Sequence, residues 1–294
     1  MGLRHLRRKN SFFLNFITLI SVGGVAIGVT AMILVLSVMD GFEGQLKKRL
    51  FGGDIHLLVS PTEKAEGYDR GFVPKNSLEK SGALTILQKR PEVMDIFPVV
   101  STEAILKTGS KISGVVVKGI TENRLERVRT QLTEVASPPM LEELVEGEKI
   151  RRPGLFVGQE LAYLLGLIPG DFITLVSPTE TEGPMDAIPR SKRFVVEGIY
   201  SSGLPDQELH TVFTPDQAVY SFLRRKDVLT HWEITTHDFE KSPKVAESVK
   251  ASLDGYVIQD WIQLNATLFS SLKLERLAMS VSYTHLTLPT NREV

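Results

Sequence analysis

Ser11-Phe-Phe-Leu-Asn-Phe-Ile-Thr-Leu-Ile-Ser-Val-Gly-Gly-Val-Ala-Ile-Gly-Val-Thr-Ala-Met-Ile-Leu-Val-Leu-Ser-Val-Met39 contains no charged residue. A helix that crosses a bilayer needs about 20 mostly apolar residues, and this run exceeds that. At about 1.5 Å per residue it makes roughly 42 Å of helix against a hydrocarbon core of about 30 Å, so it tilts or projects. The rival reading is a cleavable leader, whose apolar part spans about 7–15 residues and ends at small residues. Here the run is longer and ends in Val38-Met-Asp-Gly-Phe42, so the reading is an uncleaved anchor.

Charge sets the expected orientation. Arg4, Arg7, Arg8 and Lys9 precede the run with no acid among residues 1–9, which predicts a cytoplasmic head over residues 1–10. Lys47, Lys48 and Arg49 oppose this on the far side, partly balanced by Asp40 and Glu43. Within the run, Gly24 and Gly28 have the spacing that lets another helix approach closely. The plain alternative is that glycine is common in membrane helices.

The composition excludes several classes. Of 294 residues, 42% are hydrophobic and 23% charged, which rules out a disordered chain. The absence of cysteine excludes a disulfide scaffold, a thiolate metal site, a catalytic thiol and a lipidated cysteine. A net charge of −1 gives no argument for nucleic acid.

Beyond the span the pattern changes to short strands and helices, predicting an α+β extracytoplasmic domain over 41–265 with two subdomains, the central part at about 121–225 being inserted. Strands are expected at 54–60, 93–106, 112–120, 172–176, 193–200, 208–213, 231–236 and 256–259. Helices are expected at 78–89, 158–165, 216–223 (capped by Thr214-Pro215-Asp216), 243–253 and from Trp261 to about Met279. Residues 121–153 read as one or two helices and loops. Glu142, Glu143, Glu146 and Glu148 read as a solvated helix face.

Little chemistry is legible. Gly109 and Gly114 have P-loop spacing, but Val115 and Val116 replace the residues that hold phosphate and magnesium. No nucleophile elbow occurs. The six histidines show no metal-ligand spacing, although His231 and His237 flank one expected strand. No cofactor is expected, and ATP-driven work would fall to another subunit.

The head Leu3-Arg-His-Leu-Arg-Arg-Lys-Asn-Ser-Phe-Phe13, the span, and above all Leu34-Val-Leu-Ser-Val-Met-Asp-Gly-Phe42 closely resemble the LolC/LolE family of lipoprotein-releasing ABC transporter permeases. Pro169-Gly-Asp171, Arg193-Phe-Val-Val-Glu-Gly-Ile199 and Ile258-Gln-Asp-Trp261 fit its extracytoplasmic domain. The resemblance implies a bacterial inner-membrane transport subunit with a large periplasmic domain between its first two membrane helices. The implied partners are a cytoplasmic ATPase, a second permease subunit, a periplasmic lipoprotein carrier and lipoprotein cargo. It also implies an acyl-chain groove lined partly by the first helix, for which Phe16, Leu19, Ile20 and Ile27 are candidates by apolar character.

Gly183-Pro-Met-Asp-Ala-Ile-Pro-Arg-Ser-Lys-Arg-Phe194 resembles the end of a loop that hooks the carrier in this family. Pro184 and Pro189 would stiffen it, Met185 and Ile188 offer apolar contact, and Arg190, Lys192 and Arg193 a basic rim. The alternative is an ordinary surface loop. Residues 266–279 resemble the helix leading to a second span, but 280–294, with Pro289 and three threonines, argue against its continuing and resemble read-through sequence. Other readings are a related permease for efflux or cell-wall control, and a single-span anchored periplasmic binding protein.

Overall fold

The computed structural model describes residues 3–51, 55–135, 142–145, 148–177 and 189–287. The chain divides into two compact units, Leu50–Leu264 and the pair of segments Met1–Arg49 and Asn265–Val294.

In the second of these, α1 (Leu3–Phe51) is one continuous helix. Its stretch Phe16–Phe42 is long and apolar enough to cross a membrane, and none of the most apolar part is buried. A helix that leaves so much apolar surface uncovered calls for lipid or another protein around it.

The unit Leu50–Leu264 opens with β1 (Leu57–Pro61) and β2 (Val73–Pro74). The single helix expected at 78–89 is two, α2 (Ser77–Lys80) and α3 (Ala83–Gln88). The break falls at Gly82, whose φ of +74° cannot continue a helix. β3 (Val93–Thr108) and β4 (Lys111–Ile120) form the expected hairpin, in register from Val99↔Ile120 to Thr108↔Lys111.

Among the described residues of 121–153 there is one helix, α4 (Glu122–Arg129), followed by β5 (Leu132–Val135), β6 (Glu142–Val145) and β7 (Glu148–Arg151). Glu142, Glu143 and Glu148 of the acidic run therefore lie in paired strands and not on a helix face, and Glu143 is buried, while Glu146 lies outside the described residues. β8 (Gly154–Gly158), which the sequence does not announce, is buried at all five residues and so shows no alternation. α5 (Gln159–Leu165) ends at Gly166 in the left-handed conformation, as expected.

β9 (Phe172–Val176) and β10 (Ser191–Tyr200) pair antiparallel. The strand expected at 208–213 begins later: Pro205 starts α6 (Pro205–His210), and β11 (Thr211–Pro215) follows. Thr214 does not cap α7 (Asp216–Leu223); its hydroxyl donates to the Gly154 carbonyl at 2.7 Å. The unit closes with β12 (Val228–Leu229), β13 (His231–Thr236), a 3-10 turn at Phe239–Lys241, α8 (Ser242–Lys250), β14 (Tyr256–Asp260) and α9 (Trp261–Leu264).

Ten of the described strands make one sheet ordered β14-β1-β13-β3-β4-β11-β8-β10-β5, with β9 joined to both β10 and β3, while β12 pairs with β2 and β6 with β7 apart from it. Hydrogen-bonded neighbours from β3 through β4, β11, β8, β10 and β9 lead back to β3, where Ile105 pairs with Val176. Six strands thus close a ring too narrow to be hollow, and Val100, Leu106, Leu155, Ile173 and Phe194 belong to its buried cluster. The first half of β3 pairs with β13 at residues 93–99, where the sheet runs on outside the ring. A second buried cluster, with Leu57, Trp232, Ile234, Leu87 and Val249, packs α3 and α8 on that outer part. A third gathers Leu125 and Val128 of α4 with Ile120, Phe156 and Phe213.

The helix expected from Trp261 to Met279 is interrupted at Asn265, and α10 (Ala266–Thr287) follows. It continues through Ser280–Thr287, contrary to expectation: threonine lowers helix propensity by only a fraction of a kcal/mol, about 0.7 at most.

Candidate functional site

The hairpin β9–β10 carries the loop that the sequence singles out. Its last rung is Val176↔Ser191, and beyond it the Ser177 amide donates to the Arg190 carbonyl at 2.8 Å. Pro184, Met185 and Ile188 lie outside the described residues, whereas Pro189, Arg190 and Arg193 lie within them.

The basic residues at the loop base are held by the domain. Arg190 Nη1 donates to the Leu223 carbonyl at 2.6 Å, and Lys192 Nζ to the Ala218 carbonyl at 3.4 Å. Both acceptors belong to α7, and Leu223 is its last residue, where orphan carbonyls and the negative end of the helix dipole favour a cation. Burial pushes the Lys192 ammonium below its ordinary range. Arg193 Nη1 lies 2.9 Å from Oε1 of Glu143, whose Oε2 takes Arg152 Nε at 2.8 Å. The Arg193 guanidinium also stands 5.7 Å from the centre of the Phe172 ring. The set can fix the direction in which the loop leaves the ring. Glu143 escapes sequence reasoning because its partners follow at 152 and 193, and an acidic run reads as solvated.

A second cluster was not foreseen. Glu233 of β13 is 1% exposed and faces Lys118 Nζ at 2.7 Å, His231 Nε2 at 3.5 Å and Arg124 Nη2 at 3.5 Å. The Arg124 guanidinium is 5.1 Å from the Phe97 ring centre. Burial by itself would raise the Glu233 carboxyl; the Lys118 charge, the His231 hydrogen bond and Arg124 outweigh it and hold the group well below the usual carboxylate range. The cluster ties β4 and α4 to β13, where the ring meets the outer sheet. His231 thus serves an ion cluster, and among the described residues no three His, Cys, Asp or Glu are grouped to hold a metal.

On α1, Phe16, Leu19, Ile20 and Ile27 are 52%, 70%, 59% and 73% exposed. At about 100° per residue they share one face of roughly 100°, and Gly24 and Gly28 border it. Gly24 and Gly28 have nothing within 4 Å of where a Cβ would stand, so the described residues put no helix on that stripe.

The family model described as the MacB-like periplasmic core domain matches residues 18–252. The chain belongs to that family. The LolC/LolE resemblance read from the residues also holds. The lipoprotein-releasing system transmembrane protein LolC of Xylella fastidiosa is 32% identical over 286 residues, covering 96% of this chain and 64% of its own. LolE of Haemophilus influenzae is 26% identical over 264 residues, covering 88% and 59%. The chain therefore spans about three fifths of the length of these curated relatives. Among solved structures, the periplasmic region of MacB from Actinobacillus actinomycetemcomitans covers 75% of this chain and 95% of its own, at 13% identity and a TM-score of 0.39.

Proposed function

We propose that this chain is the permease part of an ABC transporter that draws lipoproteins from the bacterial inner membrane and passes them to a periplasmic carrier. The observation that carries the reading is the match to LolC over 96% of this chain. The uncovered helix Phe16–Phe42 agrees with it. In this reading the basic head is cytoplasmic and the unit Leu50–Leu264 is periplasmic.

In this reading the work is divided. A separate cytoplasmic ATPase supplies the energy, and a second permease subunit completes the path. Phe16, Leu19, Ile20 and Ile27 face acyl chains, to which their uncovered apolar surface offers dispersion contacts. Gly24 and Gly28 receive a neighbouring helix. The loop 178–190 reaches the carrier from a stem fixed by Arg190 and Arg193. A stem held in this way lowers the ordering cost of binding. Of the ring strands, β8, β9, β10 and β11 come from 121–225 and β3 and β4 from before it, so the division of 41–265 into two subdomains stays part of this proposal.

Depletion of the gene in its host tests the reading. Lipoproteins destined for the outer membrane should accumulate in the inner membrane and be cleared when the gene is restored. Unchanged lipoprotein sorting, with altered drug sensitivity or cell separation instead, would point to one of the related permease roles.

A further inference from the structure

Asp40 is the first charge after the uncharged run Ser11–Met39, and it lies in α1 at the end of the apolar stretch Phe16–Phe42. Arg276, in α10 and 236 positions later, places Nη2 2.8 Å from Asp40 Oδ1. Both residues belong to the same compact unit. The two side chains are 54% and 69% exposed, and in open water a pair of this kind contributes little.

The position changes that weighting. An ion pair at the margin of a membrane-crossing helix meets less water, so the attraction is stronger and either charge left alone is costlier. Arginine suits such a place because its guanidinium stays charged and presents a fixed fork of donors. Nothing in sequence spacing links the two residues; the pairing is a property of how α1 and α10 lie together in their unit.

We propose that Asp40 and Arg276 form a clasp that sets the register of α1 against α10 at the boundary of the span, a register on which transport depends. The transport half of this statement rests on the permease reading, whereas the register half does not.

The chain has no cysteine, so a thiol pair can be introduced without competitors. Asp40→Cys with Arg276→Cys, in native membranes of cells making the full protein, should be joined by a short bifunctional thiol reagent, shifting its mobility on a denaturing gel. Asp40→Cys alone should give no such product. Asp40→Arg and Arg276→Asp singly should each lower lipoprotein release about tenfold, and the swapped pair should recover to within about twofold of the parent. No cross-link, or single reversals that release at the parental rate, would overturn the clasp. If the parent protein releases no lipoprotein, the permease reading fails and the cross-link alone decides the register.

Discussion

Lys118 Nζ sits 2.7 Å from Oε1 of Glu233, a carboxylate with 1% of its side chain exposed, and so joins β4 of the ring to β13 of the outer sheet. Two residues 115 positions apart thereby bridge the junction between ring and outer sheet. Removing one partner of a buried pair strands the other charge, whereas replacing both with apolar groups costs far less. Glu233→Gln should therefore lower unfolding stability by about 3–5 kcal/mol, and Glu233→Leu combined with Lys118→Met and Arg124→Met, which removes the carboxylate together with both of its basic partners, by clearly less. Urea titration followed by circular dichroism checks both.

The same carboxylate gives a pH dependence. Its value in the folded protein is held below that in the unfolded chain, about 4.3. Its stabilisation is complete above that unfolded value and is lost as pH falls towards the lower folded one. Melting temperature should thus fall below about pH 5 in the parent, and by less in the Glu233→Leu, Lys118→Met, Arg124→Met variant.

At the loop stem, Glu143 gives one oxygen to Arg193 and the other to Arg152. Glu143→Ala and Arg193→Ala should each weaken carrier binding, and the double variant should lose less than their sum, with a coupling of about 0.5–3 kcal/mol. Titration of the carrier against each variant measures this. Fully additive losses would mean that the pair does not position the loop.

Gly158 ends β8 where no side chain fits, because a Cβ there would strike the Glu208 backbone. Gly158→Ala should destabilise the domain by about 1–3 kcal/mol, the range of an overpacked core. A thermal melt within 1 °C of the parent would contradict the packing described here.

Much of this was legible in residues 11–39, where the absence of charge leaves one reading, and in the hairpins β3–β4 and β9–β10, where turn formers separate β-rich runs. The all-buried β8 lacks the period of two by which a strand announces itself. The Glu233 cluster and the Glu143 pairings join residues far apart in the chain, and local pattern carries no trace of them. The break at Gly82 was legible in principle, since glycine inside a helical pattern lowers confidence in its continuity.

The most direct test is reconstitution of the full transporter with its ATPase in proteoliposomes holding an acylated lipoprotein. The account predicts that ATP and the soluble carrier together release lipoprotein into the supernatant. It predicts further that a charge at Ile20, which costs about 2.5–3.5 kcal/mol inside a membrane helix, abolishes release. Release that proceeds without ATP, or a lipoprotein that stays in the vesicles under all conditions, would contradict it.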